Sequence, residues 1–159
     1  MVLNEKLKPQ VSLAVNGKSF YWASHFLSSQ MGYNAARLYA FCRLLDDMAD
    51  GDIPDGPKRL TRIHGSLQSG QPSDDPAFSD FQPFMSEMGF STTVLLALLD
   101  GLLQDQEDHV CLSSEADLLR YSYRVAGTVG LLMCGVLNSK ASEARVYAID
   151  LGIGMQLTN

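Results

Sequence analysis

Apolar residues recur at helical spacing along almost the whole chain, and no stretch alternates with the period of two that a half-buried strand requires. That periodicity predicts an all-α array, cut by Gly, Pro, Ser and Asp into about six or seven helices. The first is expected after Ser19 as N-cap, through Phe20, Trp22, Ala23 and Phe26 to about Ser29. The second runs near Tyr33 to Asp50, closed by Gly51, and Pro57 is placed to open the third. Pro76 begins a fourth that reaches Met88. Ser91 starts the next, with Val94, Leu95, Leu98, Leu99 and Leu102 as its core stripe. Ser114 and Asp117 read as a capping pair for a long helix through Tyr121 and Tyr123 to Leu137, and the last helix runs from about Ala141 to the end. With 159 residues, 46% of them apolar, one domain with a real core is expected.

Charge and residue usage exclude several classes of function. Lys and Arg total 12 against 18 for Asp and Glu, and no basic run is interleaved with aromatics, so nucleic acid is not an expected partner. The longest run of apolar and small residues, Val125 to Leu137, is shorter than the roughly 20 residues that cross a bilayer, and Met1 to Gln10 is polar. A soluble cytoplasmic protein is expected. Cys42, Cys111 and Cys134 are widely spaced and read as buried thiols, not as a disulfide framework or zinc site.

The acidic cluster Asp46-Asp47-Met48-Ala49-Asp50 closes the apolar run that begins at Ala35. On a helix Asp46 and Asp50 stack on one face, with Asp47 and Arg43 beside them, and like charges at that spacing repel. A helix C-terminus is also the wrong pole for anions. A hard divalent cation is the natural compensation, since Mg²⁺ commonly takes one or two protein carboxylates and fills its shell from water and phosphate. The cluster therefore points to phosphate chemistry, against the alternative of a solvated acidic helix end.

Two further regions stand out. In the helix carrying Tyr121 to Gly130, each interior Gly costs about 1 kcal/mol relative to Ala, so Gly127, Gly130 and Gly135 require a reason. Gly127 and Gly130 share a face, which serves either close helix packing or a ligand groove, and Tyr121 precedes Arg124 on the same side. In Gln104-Asp105-Gln106-Glu107-Asp108-His109, Asp105 can share a face with Asp108 or His109, to hold a metal, to meet an Arg or simply to end a solvated helix. His25 and His64 have no partner at useful spacing and are given no catalytic role. Ala148, Leu151, Gly152, Met155 and Gln156 are still in helical register at Asn159, a pattern expected of a chain that continues, with a frayed natural end as the alternative.

Four pieces in order carry a resemblance: Ser19-Phe20, Tyr39 to Asp50, Tyr121 to Gly130 and Asp150 to Asn159. Together they resemble the squalene and phytoene synthases, the head-to-head prenyl transferases, and Tyr123 to Gly130 looks most like the bacterial phytoene synthases and their dehydrosqualene and hopanoid-pathway relatives. The resemblance runs from Ser19 to Asn159 and implies that residues 1–159 are the N-terminal part of a single isoprenoid-synthase domain. It implies Mg²⁺, with Mn²⁺ as a substitute, held by Asp46, Asp50 and Asn159, with Asp47 adjacent. Asn159 matches the first position of a second motif, N-x-x-x-D-x-x-x-D, whose aspartates would lie beyond it. Ser19, Phe20 and Arg43 would meet diphosphate, and Tyr121 would flank the reaction centre. Val125, Ala126, Gly127, Val129 and Gly130 would line the channel for the prenyl tail, with Gln156 near the reacting carbon. Asp105 matches an acidic position of less certain role.

The substrates implied are geranylgeranyl or farnesyl diphosphate, with NADPH used only if squalene is formed. A prenyl diphosphate phosphatase and a non-catalytic helical module are the competing expectations. Peripheral membrane association and oligomerisation through exposed apolar surface are further ones.

Overall fold

The computed structural model describes residues 9–106, 112–139 and 141–158. Among them there is no strand, and nine α-helical segments and one π turn account for the regular structure. They are α1 (Pro9–Asn16), α2 (Lys18–Ser24), α3 (Ser29–Ala49), α4 (Gly56–Ser69), α5 (Pro76–Met88), α6 (Thr92–Gln104), α7 (Glu115–Ser122), the π turn Tyr123–Gly127, α8 (Thr128–Val136) and α9 (Ser142–Thr158). The all-α reading holds, with more pieces than the six or seven expected. The chain divides into two compact units, residues 1–44 and 45–159, with the boundary inside α3.

In the first unit, two readings are corrected. A helix, α1, precedes the expected first one, burying Ser12 and Leu13. Ser19 is not an N-cap: α2 begins at Lys18, Gly17 occupies the cap position without a side-chain bond, and Ser19 sits in the first turn. At Gly17 an added Cβ would come within 2.9 Å of the Tyr39 ring, so a larger residue there would push that ring aside.

The second unit is built on α6, whose predicted stripe Val94, Leu95, Leu98, Leu99 and Leu102 is entirely buried. Helix α4 packs against α6 and buries Leu60 and Ile63. Phe81 and Phe84 of α5 join Phe90 in an aromatic cluster, with edge-to-face pairs at 5.6 and 5.5 Å. Asp75 caps α5 by accepting a hydrogen bond from the Ala77 N–H at 3.0 Å, and Arg59 of α4 donates to the same carboxylate at 2.8 and 3.3 Å. Burial alone would raise the Asp75 carboxyl, but the Arg59 hydrogen bond and charge and the N–H groups of Ala77 and Phe78 outweigh it and hold it below its ordinary value.

The predicted capping pair is present: Ser114 Oγ accepts from the Asp117 N–H at 3.1 Å. The long helix predicted from there to Leu137 forms as α7 and α8, but the five residues between them widen into the π turn. Of the thiols, Cys134 is buried and Cys42 half-buried, neither in a disulfide, while Cys111 lies outside the described residues.

Candidate functional site

Helix α3 ends through its acidic cluster. Gly51 adopts φ 78°, and the Asp52 N–H donates to the Asp47 carbonyl at 3.0 Å, a Schellman-type closure that reverses the chain directly after Asp50. Asp46 and Asp47 are half-buried and Asp50 is exposed. The carboxylates thus stand at the negative pole of a helix, as the spacing indicated.

A second helix end carries another. Asp105 is the C-cap of α6, and its Oδ2 accepts the Tyr121 hydroxyl of α7 at 3.0 Å. One turn away Arg124, in the π turn, donates to Gln104 Oε1 at 3.3 Å, so α6 packs against the π turn. Gly101 is part of that contact, since a Cβ there would come within 2.8 and 2.9 Å of Arg124 Cβ and Val125 Cγ1. The Thr128 hydroxyl, fully buried, donates to the Arg124 carbonyl at 2.6 Å across the π turn.

The electrostatics tie the two helix ends together. Burial, then the hydrogen bond and charge of Asp105, then the charges of Asp46 and Asp50 push Tyr121 up to about 12. Asp105 is itself raised, by burial first and also by the charge of Asp50, against the lowering effect of the Tyr121 hydrogen bond. The charges of the α3 carboxylates therefore act on Asp105 and Tyr121. Two buried polar atoms without partners, Gln106 Nε2 and Ser122 Oγ, are the sequence neighbours of this pair.

The donor set fits a hard divalent cation, which binds carboxylate oxygen and relieves the repulsion that raises Asp105. Among the described residues no three of His, Cys, Asp and Glu converge on one point, so a closed protein cage is not what the residues offer.

The other predicted site residues fall as follows. Ser19 and Phe20 are exposed on α2 and Arg43 is half-buried on α3, all in the first unit. Gly127 and Gly130 face α9: a Cβ on Gly130 would clash with the Ala148 carbonyl, and one on Gly127 would touch Tyr123 and Ile149. Close helix packing therefore accounts for these two glycines, and Gly152 answers them from α9 against the Ala126 carbonyl. Val125, Ala126 and Val129 are half-buried beside them, and Gln156 is half-buried on α9. Asn159, with Glu107, Asp108 and His109, lies outside the described residues.

One pair escaped the sequence reading. His64 Nε2 lies 2.8 Å from Asp100 Oδ1, joining α4 to α6, although the two are 36 positions apart. No local spacing signals such a pair.

The chain is similar to known proteins along most of its length. A family model described as squalene/phytoene synthase matches residues 13–159. A phytoene synthase of Cereibacter sphaeroides is 32% identical over 157 residues, covering 89% of this chain and 43% of that protein. A presqualene diphosphate synthase of Rhodopseudomonas palustris is 30% identical over 149 residues, covering 90% and 52%. The crystal structure of a dehydrosqualene synthase in complex with ligand superposes with a TM-score of 0.79 at 31% identity, covering 95% of this chain and 53% of that one. The chain spans about half the length of the relatives it matches.

Proposed function

The chain belongs to the squalene/phytoene synthase family, and we propose that the whole protein condenses two prenyl diphosphates head to head, with Mg²⁺ or Mn²⁺ as the metal. The observation that supports this reading is the Tyr121 hydroxyl donating to Asp105 Oδ2 at 3.0 Å, with the charges of Asp46 and Asp50 near enough to help push the phenol up. Asp46 and Asp50 would hold the cation, with Asp47 beside them and Asn159 as a further ligand. Bound there, the metal would neutralise diphosphate and favour its departure.

As the family resemblance implies, Arg43, three residues before Asp46 in sequence, would offer diphosphate a planar fork of donors, and Ser19 and Phe20 would meet diphosphate as well. Tyr121 stays protonated at any physiological pH because its ionisation is pushed up to about 12, so its ring and hydroxyl face a developing carbocation without a charge that would capture it. Val125, Ala126 and Val129 present apolar surface for a prenyl tail, while Gly127 and Gly130 fix how close α9 comes and hence the width left for it. Gln156 lies on that same helix.

Diphosphate leaves one donor, the allylic cation is captured by the C2–C3 double bond of the other, and loss of a proton closes the ring of a cyclopropylcarbinyl diphosphate. Its ionisation and rearrangement end by proton loss in a phytoene-type product, or by hydride from NADPH in a squalene-type one. Incubation with geranylgeranyl or farnesyl diphosphate and Mg²⁺, followed by extraction, is expected to give a hydrocarbon of twice the donor's carbon count. Release of prenyl alcohol alone would refute the condensation.

A further inference from the structure

The π turn Tyr123–Gly127 interrupts the helix that carries Tyr121, and the chemistry proposed above assigns it no task. Turns of this kind are rare and insert one extra residue into the helical ladder, so a chain that keeps one needs something to hold it open.

Its effect is a change of phase. At about 3.6 residues per α-helical turn, one extra residue rotates everything before it by about 100° relative to everything after it. On one side of that change, Tyr121 reaches Asp105 and Arg124 reaches Gln104, both at the C-terminal end of α6. On the other, Gly127 and Gly130 lie against Ile149 and Ala148 of α9. One helix thereby serves two neighbours. In unbroken α register, with the two glycines kept against α9, Tyr121 would point about 100° away from Asp105.

The bonds of the turn show what holds it. The Thr128 N–H donates to the Tyr123 carbonyl, five residues back, where an α-helix would send it to Arg124. The Arg124 carbonyl accepts the Thr128 hydroxyl instead, at 2.6 Å. Threonine suits that bond, because its Oγ reaches the carbonyl four residues back. Thr128 is fully buried, out of reach of bulk water that could replace the bond. Ser122, at the other edge of the turn, is equally buried, and its hydroxyl has no partner among the described residues. Of the two buried hydroxyls that flank the turn, only that of Thr128 is bonded across it.

We infer that Thr128 is a positioning residue for Tyr121: its hydroxyl fixes the wide turn, and the wide turn sets the Tyr121 hydroxyl on Asp105 while Gly127 and Gly130 stay against α9. The consequence for catalysis rests on the role proposed above for Tyr121, whereas the positioning is tested without turnover.

The test is a double-mutant cycle in urea, with Thr128→Val and Tyr121→Phe made alone and together. Valine keeps the shape of threonine and removes the donor. In the wild type, Tyr121→Phe deletes a hydrogen bond to a carboxylate and should lower the folding equilibrium constant about tenfold. In the Thr128→Val background, where the phenol has already left Asp105, the same change should lower it less than about twofold. Thr128→Ser retains the donor and should restore the full effect. If valine leaves the protein unfolded by circular dichroism, Thr128→Ala, which cannot overpack, takes its place in the cycle with the same expectations. A threonine that only filled space would give additive effects, so an equal effect of Tyr121→Phe in both backgrounds would overturn the inference. A Thr128→Ser variant that behaves like Thr128→Val would overturn it too. Hydrocarbon formation by the whole protein is the separate arm: kcat should fall at least about tenfold in Thr128→Val and recover in Thr128→Ser. Coupling in urea with kcat unchanged would uphold the positioning and refute the role proposed for Tyr121.

Discussion

Gly152 and Gly154 sit two residues apart on α9, and alanine should act on them with opposite signs. A Cβ on Gly152 would lie 2.5 Å from the Ala126 carbonyl oxygen, 2.7 Å from its carbon and 2.9 Å from Gly127 Cα. All three are backbone atoms, which no rotamer change can move, so the overpacking cost belongs at or above the upper end of the usual range, about 3 kcal/mol. Alanine returns only about 1 kcal/mol through helix propensity, leaving a net loss of about 2 kcal/mol. Nothing lies within 4 Å of a Cβ on Gly154, so there the propensity gain stands alone at about 1 kcal/mol. At roughly 2–4 °C per kcal/mol for a chain of this size, Gly152→Ala should melt about 4–8 °C lower and Gly154→Ala about 2–4 °C higher than the wild type. Differential scanning calorimetry reads both. A Gly152→Ala variant as stable as the wild type would refute the claim that these glycines exist to let α9 touch the π turn.

Three further outcomes are expected. Asp50→Asn removes an anion from the negative pole of α3, so without metal it should stabilise the protein by about 0.3–1 kcal/mol in urea titrations, while weakening Mg²⁺-dependent binding of inorganic diphosphate about tenfold or more by calorimetry. A loss of both, or of neither, would contradict the clamp. Asp105→Asn removes the charged acceptor of the Tyr121 hydroxyl, so the Tyr121 ionisation, isolated as the difference from Tyr121→Phe in an ultraviolet titration, should fall from about 12 but stay above 10.0 because burial remains. Asp75 binds its proton more weakly folded than unfolded; its contribution to stability is therefore complete above the unfolded value of about 3.8 and is lost as pH falls through the lower folded one. Arg59→Ala, which strands a carboxylate only 1% exposed, should cost about 3–5 kcal/mol near neutral pH and flatten that acid dependence in urea titrations.

What the sequence disclosed and what it hid follow from the range of the signals involved. The core stripe of α6, the Pro76 start of α5, the Ser114 cap and the closure at Gly51 are written within four or five consecutive residues, and all are found where they were expected. Helix α1 was missed because its few apolar positions span barely two turns, too short for a periodicity to declare itself. At Ser19 a serine before an apolar run signals an N-cap, but the helix begins one residue earlier, at Lys18, with Gly17 in the cap position, and helix ends are the part of an element that local signals fix least. The π turn had no signal at all in a window that reads as ordinary helix.

The same distinction of range explains why the acidic cluster alone was ambiguous. Asp46 and Asp50 declare a like-charge stack locally, but a solvated helix end would look the same in sequence. What separates the two readings is the company the cluster keeps: an α6 carboxylate that its charge helps to raise, and a tyrosine hydroxyl donating to that carboxylate from α7. Neither Asp105 nor Tyr121 is within fifty positions of Asp50, so no spacing rule could have joined them. Burial and the Asp105 hydrogen bond and charge push Tyr121 up to about 12, and the charges of Asp46 and Asp50 add to that rise. A cation bound there with diphosphate, as proposed above, would offset that charge, and the stability of this region would then rise with its ligand.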